Sequence, residues 1–361
     1  MDYFPLFNHN PVFRWLTILT LALLCLTLML IAAIFTFQLI KKNRNKREGD
    51  IETELDEWLA EVLLDDDEQV APLSERLNMY FENPRNHTFI TAKLITIRKN
   101  ISGSCLQKIT ALYKSKGLRE SSLKKFRSLL WRKKSMGIYE LYMMGQQDME
   151  AEIEKHTNSS NDFERMEAQI AAITFKGFGG LSFMDTLTNP ITEWQQIKLM
   201  EQLNSLPAET IEGLENWLSS ANSYVVRFAL KLTANYQQLH VHHEVAQCLD
   251  HPDEKIRTEA ISTLARIANP FTAGILTSHY AKEQDHNKRN ILSSLLTIAG
   301  DDEQDFLLGE LNHPGDDFKV LAASVLMNNT SNGEELLCQK AQQEPEPYER
   351  ILLHVKRDLA L

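Results

Sequence analysis

His240-Val241-His242-His243-Glu244 is the run in this 361-residue chain whose side chains have the composition of a metal site. Imidazoles and a carboxylate suit zinc, and a turn would let them converge. The motif His-Glu-x-x-His is not completed, because Val245, Ala246, Gln247 and Cys248 follow, and no second ligand cluster has matching spacing. The run reads as a surface turn. Lys176-Gly177-Phe178-Gly179-Gly180 has the glycines of a phosphate loop. No strand precedes it and no Lys-Ser/Thr closes it, so it reads as a flexible connection between helices. Trp194-Gln195-Gln196-Ile197 and Trp217 lie at helical spacing and read as core. Acidic stretches supply many carboxylates, but no pair is set face to face by spacing alone, and no Gly-x-Ser-x-Gly, Cys–His or kinase-like set is present. No catalytic residue, metal or cofactor is implied, and no positive argument for an enzyme arises.

The elements that hold these residues repeat. Leu249-Asp250-His251-Pro252 returns as Leu311-Asn312-His313-Pro314, and the match runs on through Ile256/Phe318, Arg257/Lys319, Ala260/Ala322 and Leu264/Leu326. At half that interval Leu187 and Pro190, Leu218 and Ala229, and Ile291 and Leu295 continue the register. A fixed period of this size marks stacked supersecondary units, whose usual product is an extended binding surface. Each unit reads as two short helices. First helices are expected over 181–187, 211–218, 243–249, 273–280, 305–311 and 334–340. Second helices are expected over 191–203, 223–236, 254–267, 286–298, 316–326 and 347–357. Turn signals between them (Asn189-Pro190, Asp250 to Asp253, Asn312 to Asp316, Glu344-Pro345) place Pro to preset the next helix and Asp or Asn to cap it. Fainter copies precede them, at 158–173 and 137–144. The expected fold class is all-α, with an α-solenoid over 158–361.

The pattern Ile256-Arg257-Thr258-Glu259-Ala260 after a His-Pro-Asp turn resembles HEAT-type repeats. A small Ala260 or Ala322 lets the second helix pack closely. The Arg257 stem covers apolar surface while its head reaches the preceding turn's carboxylate. Units this short are more similar to the compact HEAT-like repeats of bilin-lyase relatives. Two positions depart: Arg227 comes one place late before Ala229, and Ile291 replaces the small residue. The whole arrangement resembles bacterial membrane-anchored repeat proteins, and no catalytic residue comes with that resemblance.

Ahead of the repeats, residues 15–40, including Trp15, Leu24, Leu30, Phe35 and Ile40, contain no charged side chain. As helix they span roughly 39 Å, enough for a ~30 Å hydrocarbon core. The apolar stretch is too long for a cleaved signal, and the basic run Lys41, Lys42, Arg44, Lys46, Arg47 follows rather than precedes it. By the positive-inside rule that run holds the carboxyl side in the cytoplasm, with residues 1–14 outside, and the resemblance to bacterial membrane-anchored repeat proteins implies an inner membrane. Cys25, Cys105, Cys248 and Cys338 stand far apart, as reduced thiols would. Residues 41–75 read as a stop-transfer run and acidic spacer. A short amphipathic helix at 51–64 is ended there by Asp65-Asp66-Asp67-Glu68.

Net charge is −11, but residues 93–134 hold thirteen basic side chains against Glu120 alone. Lys114, Lys116, Lys124, Lys125, Arg132 and Lys133, within a basic helical segment at 76–157, are the candidates for contact with acidic lipid headgroups. A solvated face and docking on the acidic remainder are the other readings. Nucleic acid is disfavoured, since no helix-turn-helix, zinc or stacking-aromatic signature accompanies the charge. The expectation is a membrane-anchored adaptor that binds a protein partner, with a lyase-like enzyme or assembly factor as the rival. Polar and aromatic residues on successive second helices would favour the first. A closed pocket of convergent acids or histidines would favour the second.

Overall fold

A computed structural model describes residues 11–64, 72–101, 103–207 and 209–359, and all regular structure among them is helical. The chain forms two compact units, one from residues through Ser128 with Met143–Gly145, the other from Leu129–Tyr142 with residues from Gln146 onward.

In the first unit α1 (Pro11–Leu64) is followed by α2 (Glu75–Glu82), α3 (His87–Asn100), α4 (Ser104–Ser115) and α5 (Leu118–Phe126). Helix α1 is long and apolar enough to cross a membrane, and none of its most apolar window is buried. Further along the same helix, Ile51, Leu55, Trp58 and Val62 are buried at 3-4 spacing against α2, α3 and α4. As far as Leu64, therefore, the stretch expected to be part stop-transfer run and part spacer is one helix packed within this unit. Its acids are also held within this unit: Glu54 accepts from Ser74 at 2.7 Å and pairs with Arg76 at 3.4 Å, and Glu52 pairs with Lys93. The sequence reads this stretch as an acidic spacer because the partners of Glu52 and Glu54 lie 20 or more residues away. The expected break at Asp65-Asp66-Asp67-Glu68 and the amino-terminal tail through residue 10 lie outside the described residues.

The second unit contains α6 (Trp131–Met143, whose last residue belongs to the first unit), α7 (Glu150–Glu154) and α8 (Asp162–Lys176). A 3-10 helix, Gly177–Asp185, and α9 (Glu193–Leu203) come next. Then come α10 (Leu214–Leu218), α11 (Ser223–Asn235), α12 (His242–Gln247), α13 (Glu254–Arg266), α14 (Thr272–Tyr280) and α15 (Asp285–Ile298). The last four are α16 (Gln304–Glu310), α17 (Asp316–Asn329), α18 (Gly333–Gln343) and α19 (Pro345–Leu359). Second helices pack in succession, α8 on α9, α11 on α13, α13 on α15 and α15 on α17.

Their amino ends are set by short polar side chains. Asn161 caps α8, Asn222 caps α11, Asp253 caps α13, and Thr192 with Gln195 forms a capping box on α9. Pro252 and Pro314 sit in the turns before α13 and α17, not at the first helical position. Asp316 is already helical, with Gly315 at the cap. The residue between each pair of turn positions has a role that spacing does not reveal. The ring Nδ1 of His251 accepts the Asp253 amide at 2.9 Å, and that of His313 accepts the Gly315 amide at 3.1 Å. The intervening proline has no N–H to offer, so the imidazole satisfies the amide that follows it.

Side chains also bond across one repeat length. Trp217 donates to Asp185 at 2.6 Å, 32 residues away. His242 bonds Thr272 (2.8 Å, 30 residues), Arg266 donates to Asn235 (3.0 Å, 31 residues) and Ser331 to Asp301 (2.7 Å, 30 residues). Asn158 and Asn189 close the same ladder at its upstream end, 31 residues apart. Each helical pair is thus tied to its neighbour by polar contacts as well as by burial of Ile256, Ala260, Phe318 and Ala322.

Candidate partner-binding face

On α9 the expected pattern is inverted. Gln195 and Gln196 are buried, while Trp194 is 51% and Ile197 63% exposed. The capping box fixes the rotation: the Gln195 side chain accepts the Thr192 amide at 2.9 Å and donates to the Asp162 carbonyl at 3.1 Å. Gln196 donates to the Ile191 carbonyl at 3.2 Å and accepts from Lys231 of α11 at 2.7 Å. With their hydrogen bonds satisfied, the amides are tolerated inside, and Trp194 and Ile197 are turned outward. Trp217, by contrast, is core as expected, 3% exposed.

Two shallow depressions lie along successive second helices. One, ≈ 340 Å³, is lined by Gln196, Ile197, Met200, Glu201 and Asn204 of α9 with Lys231 of α11. The other, ≈ 380 Å³, is lined by Ala234 of α11, by Glu259, Ser262, Thr263, Ala265 and Arg266 of α13, and by Asn290, Ser293, Ser294 and Thr297 of α15. The face therefore offers an apolar end on α9 and a run of small hydroxyl and amide side chains further on. Such a surface has one apolar group of the kind that anchors an interface, beside many hydrogen-bonding side chains.

The repeat-signature residues divide by role. Leu249, Ile256, Ala260, Leu311, Phe318 and Ala322 are buried, and Pro252 and Pro314 are exposed in turns. Arg257 does not reach its own turn's carboxylate. It donates to the carbonyls of His251 (3.0 Å) and Pro252 (3.3 Å) and pairs with Glu283 of the next unit at 2.7 Å. Burial raises the Glu283 carboxyl, but the bonds from Arg257 and Asn287 outweigh it and leave the group below its ordinary value. Lys319, at the equivalent place, pairs with Asp316 at 3.1 Å. Arg165 of α8, which sequence reading passed over, repeats the Arg257 pattern. Its guanidinium, 1% exposed, donates to the carbonyls of Ser159 and of Pro190 and pairs with Asp162.

The histidine run does not converge. His242 bonds Thr272, His243 bonds Gln247, and His240 lies 3.6 Å from Glu215. Among the described residues no group of three metal-ligating side chains is assembled. Burial, then the neighbouring His243, lowers the His242 pKa. Gly177–Gly180 is an ordered part of the 3-10 helix rather than a loose connection: a Cβ on Gly180 would stand 2.3 Å from the Ala172 carbonyl oxygen. A ≈ 410 Å³ cleft beside it is lined by Phe178, Ser182, Asp185, Glu209, Glu212 and Trp217, with Asp185 occupied by the Trp217 indole.

The basic candidates are distributed between the units. Lys114 and Lys124 are exposed in the first; Lys116 is engaged with Asn78 at 2.6 Å, and Lys125 is half-buried. Arg132 and Lys133 are exposed in the second. The stop-transfer residues Lys41, Lys42, Arg44 and Lys46 are exposed on α1, Arg47 is half-buried, and Arg44 lies 3.5 Å from Glu48.

No protein-family model and no curated protein matches the chain. Among solved structures it is similar to an engineered protein, with 12% identity, 75% of this chain and 84% of that one covered, and a TM-score of 0.38. It is also similar to the complex of CpcE and CpcF of phycocyanin lyase from Nostoc sp. PCC7120, with 11% identity, 82% and 99% covered, and a TM-score of 0.25. At these scores neither likeness carries a conclusion about activity.

Proposed function

We propose that this chain is a membrane-anchored scaffold: α1 holds it in a bilayer, and its repeats form a HEAT-like α-solenoid whose second-helix face binds a protein partner. The observation that carries the reading is the inversion on α9, where satisfied glutamines lie inside and Trp194 and Ile197 face outward. Leaving a tryptophan and an isoleucine half-exposed one helical turn apart forgoes roughly 1–2 kcal/mol each, a cost that an aromatic-anchored interface recovers. The hydrogen bonds that recur at one repeat length support the solenoid. Anchoring is supported by the passage of α1, without a break, from its apolar window through Lys41–Arg47 into the buried Ile51, Leu55, Trp58 and Val62. The basic run after the apolar window favours a cytoplasmic carboxyl side at an inner membrane.

The test is purification of the full chain in native-lipid discs, with identification of what remains bound in stoichiometric amount. Ile197→Asp is expected to lower recovery of that protein roughly ten-fold or more, whereas Thr277→Asp, at a half-exposed position of α14, leaves it unchanged. Equal recovery with both substitutions rejects the face. A second reading, a lyase-like enzyme or assembly factor, is favoured by the carboxylate- and aromatic-lined cleft of Phe178, Asp185, Glu209, Glu212 and Trp217. It gains ground if a small molecule, and no protein, raises the melting temperature.

A further inference from the structure

Ser128 is followed by a turn whose side chains point into solvent. Leu129 is 100% exposed, Leu130 60% and Trp131 40%, and the Trp131 ring stacks on Phe163 of α8, itself 52% exposed, at 5.2 Å between centroids. The turn is fixed rather than loose, because the Leu130 carbonyl accepts the amides of Lys133 (2.9 Å) and Lys134 (3.0 Å) as α6 begins. Four large apolar side chains thus share one protruding site of the second unit. Isolated exposed apolar residues are ordinary, but a clustered, held group of this kind is not.

Its electrostatic surroundings point to one class of occupant. Arg132 and Lys133 are exposed beside the turn, with the Arg132 guanidinium over the Trp131 ring at 5.5 Å. The two acids that flank Phe163 are already engaged. Asp162 pairs with Arg165 at 2.7 Å, and Glu164 with His156 at 2.7 Å and Lys134 at 3.6 Å. An apolar tip with a tryptophan at its base and two cations beside it has the order of chemistry met on crossing an anionic leaflet. Acyl chains take leucine, the interfacial zone takes the indole, and lipid phosphates take Arg and Lys.

We propose that the Leu129–Leu130–Trp131 turn is a second membrane contact, a wedge that enters the headgroup region of an anionic bilayer with Arg132 and Lys133 on lipid phosphates. This rests on the anchoring of α1 proposed above. Tethering by α1 makes the second contact intramolecular, so a wedge too weak to recruit a free protein can still hold an anchored one to the surface. The acidic balance from Ser135 onward repels the same surface, which confines the contact to this turn.

Hydrogen exchange on the full chain in lipid discs tests it, with phosphatidylcholine alone compared with a mixture containing phosphatidylglycerol. Two cations favour the anionic surface by roughly thirty-fold, so amide exchange at residues 129–131 is expected to slow by about that factor in the anionic discs relative to the neutral ones. Leu129→Glu, at a site where no neighbour is disturbed, is expected to abolish the difference while the chain stays embedded. Equal exchange in both discs, with the chain incorporated, overturns the wedge and leaves the anchor standing. Protection that instead rises with the number of chains per disc assigns the turn to a second copy and also overturns it. A chain that does not enter the discs at all removes the anchor and the wedge together.

Discussion

Tyr142 donates its hydroxyl to Glu167 at 3.1 Å where little water reaches the carboxyl group. Burial raises Glu167 from 4.5 to about 7, the tyrosine bond only partly opposing it. The folded chain therefore binds a proton that the unfolded chain releases, and the group's stabilising contribution is present below pH 4.5 and lost as pH rises to about 7. Glu167→Gln is expected to leave stability unchanged at the acid end and to raise it by roughly 1–3 kcal/mol well above neutrality. Chemical denaturation at both ends checks it, and a constant difference across the range would reject it. At the Arg257–Glu283 pair the sign is opposite, since the Glu283 side chain, 3% exposed, relies on the guanidinium to stay charged. Arg257→Ala leaves that carboxylate with the Asn287 amide alone and is expected to cost about 1–3 kcal/mol, most of it restored when Arg257→Met is combined with Glu283→Met. If the double substitution unfolds as readily as Arg257→Ala, the repeat-to-repeat tie is not electrostatic.

At the scale of elements, the passage from α8 to the 3-10 helix has no room for a side chain at Gly180. Gly180→Ala is expected to destabilise by about 1–3 kcal/mol. Gly274→Ala, on α14 with open space around it, is expected to stabilise by roughly 0.5 kcal/mol through helix propensity. Thermal unfolding of the two variants side by side decides whether the segment is packed as described. The second helices were legible in the sequence because apolar 3-4 spacing follows a short polar cap, as at Asp253 with Ile256, Ala260 and Leu264. The rotation of α9 was not, because Gln195 and Gln196 go inside by bonding to Asp162, Ile191 and Lys231, partners that periodicity does not see. The same blindness hid the continuity of α1, whose Glu52 and Glu54 look solvated until Lys93 and Arg76 are brought to them. The candidate face was legible only as a kind of site, from the repeat; its apolar end at Trp194 and Ile197 had been read as core.

For the whole molecule, charge, anchor and repeats divide the work. In the proposed reading a charge-free stretch enters the bilayer, a basic run after it sets orientation, and an acidic helical array presents a polar face with one apolar end. Scaffolding follows from that division if the second-helix face, and no other, is what a partner touches. The most direct measurement is a photo-crosslinking amino acid placed singly along the full chain in native membranes. Ile197, Ser262 and Ser293 represent the second helices, and Glu215 and Thr277 the first. The account predicts one adduct of constant mass from the three second-helix positions and none from the other two. Adducts from both sets alike, or from the first helices alone, would contradict it.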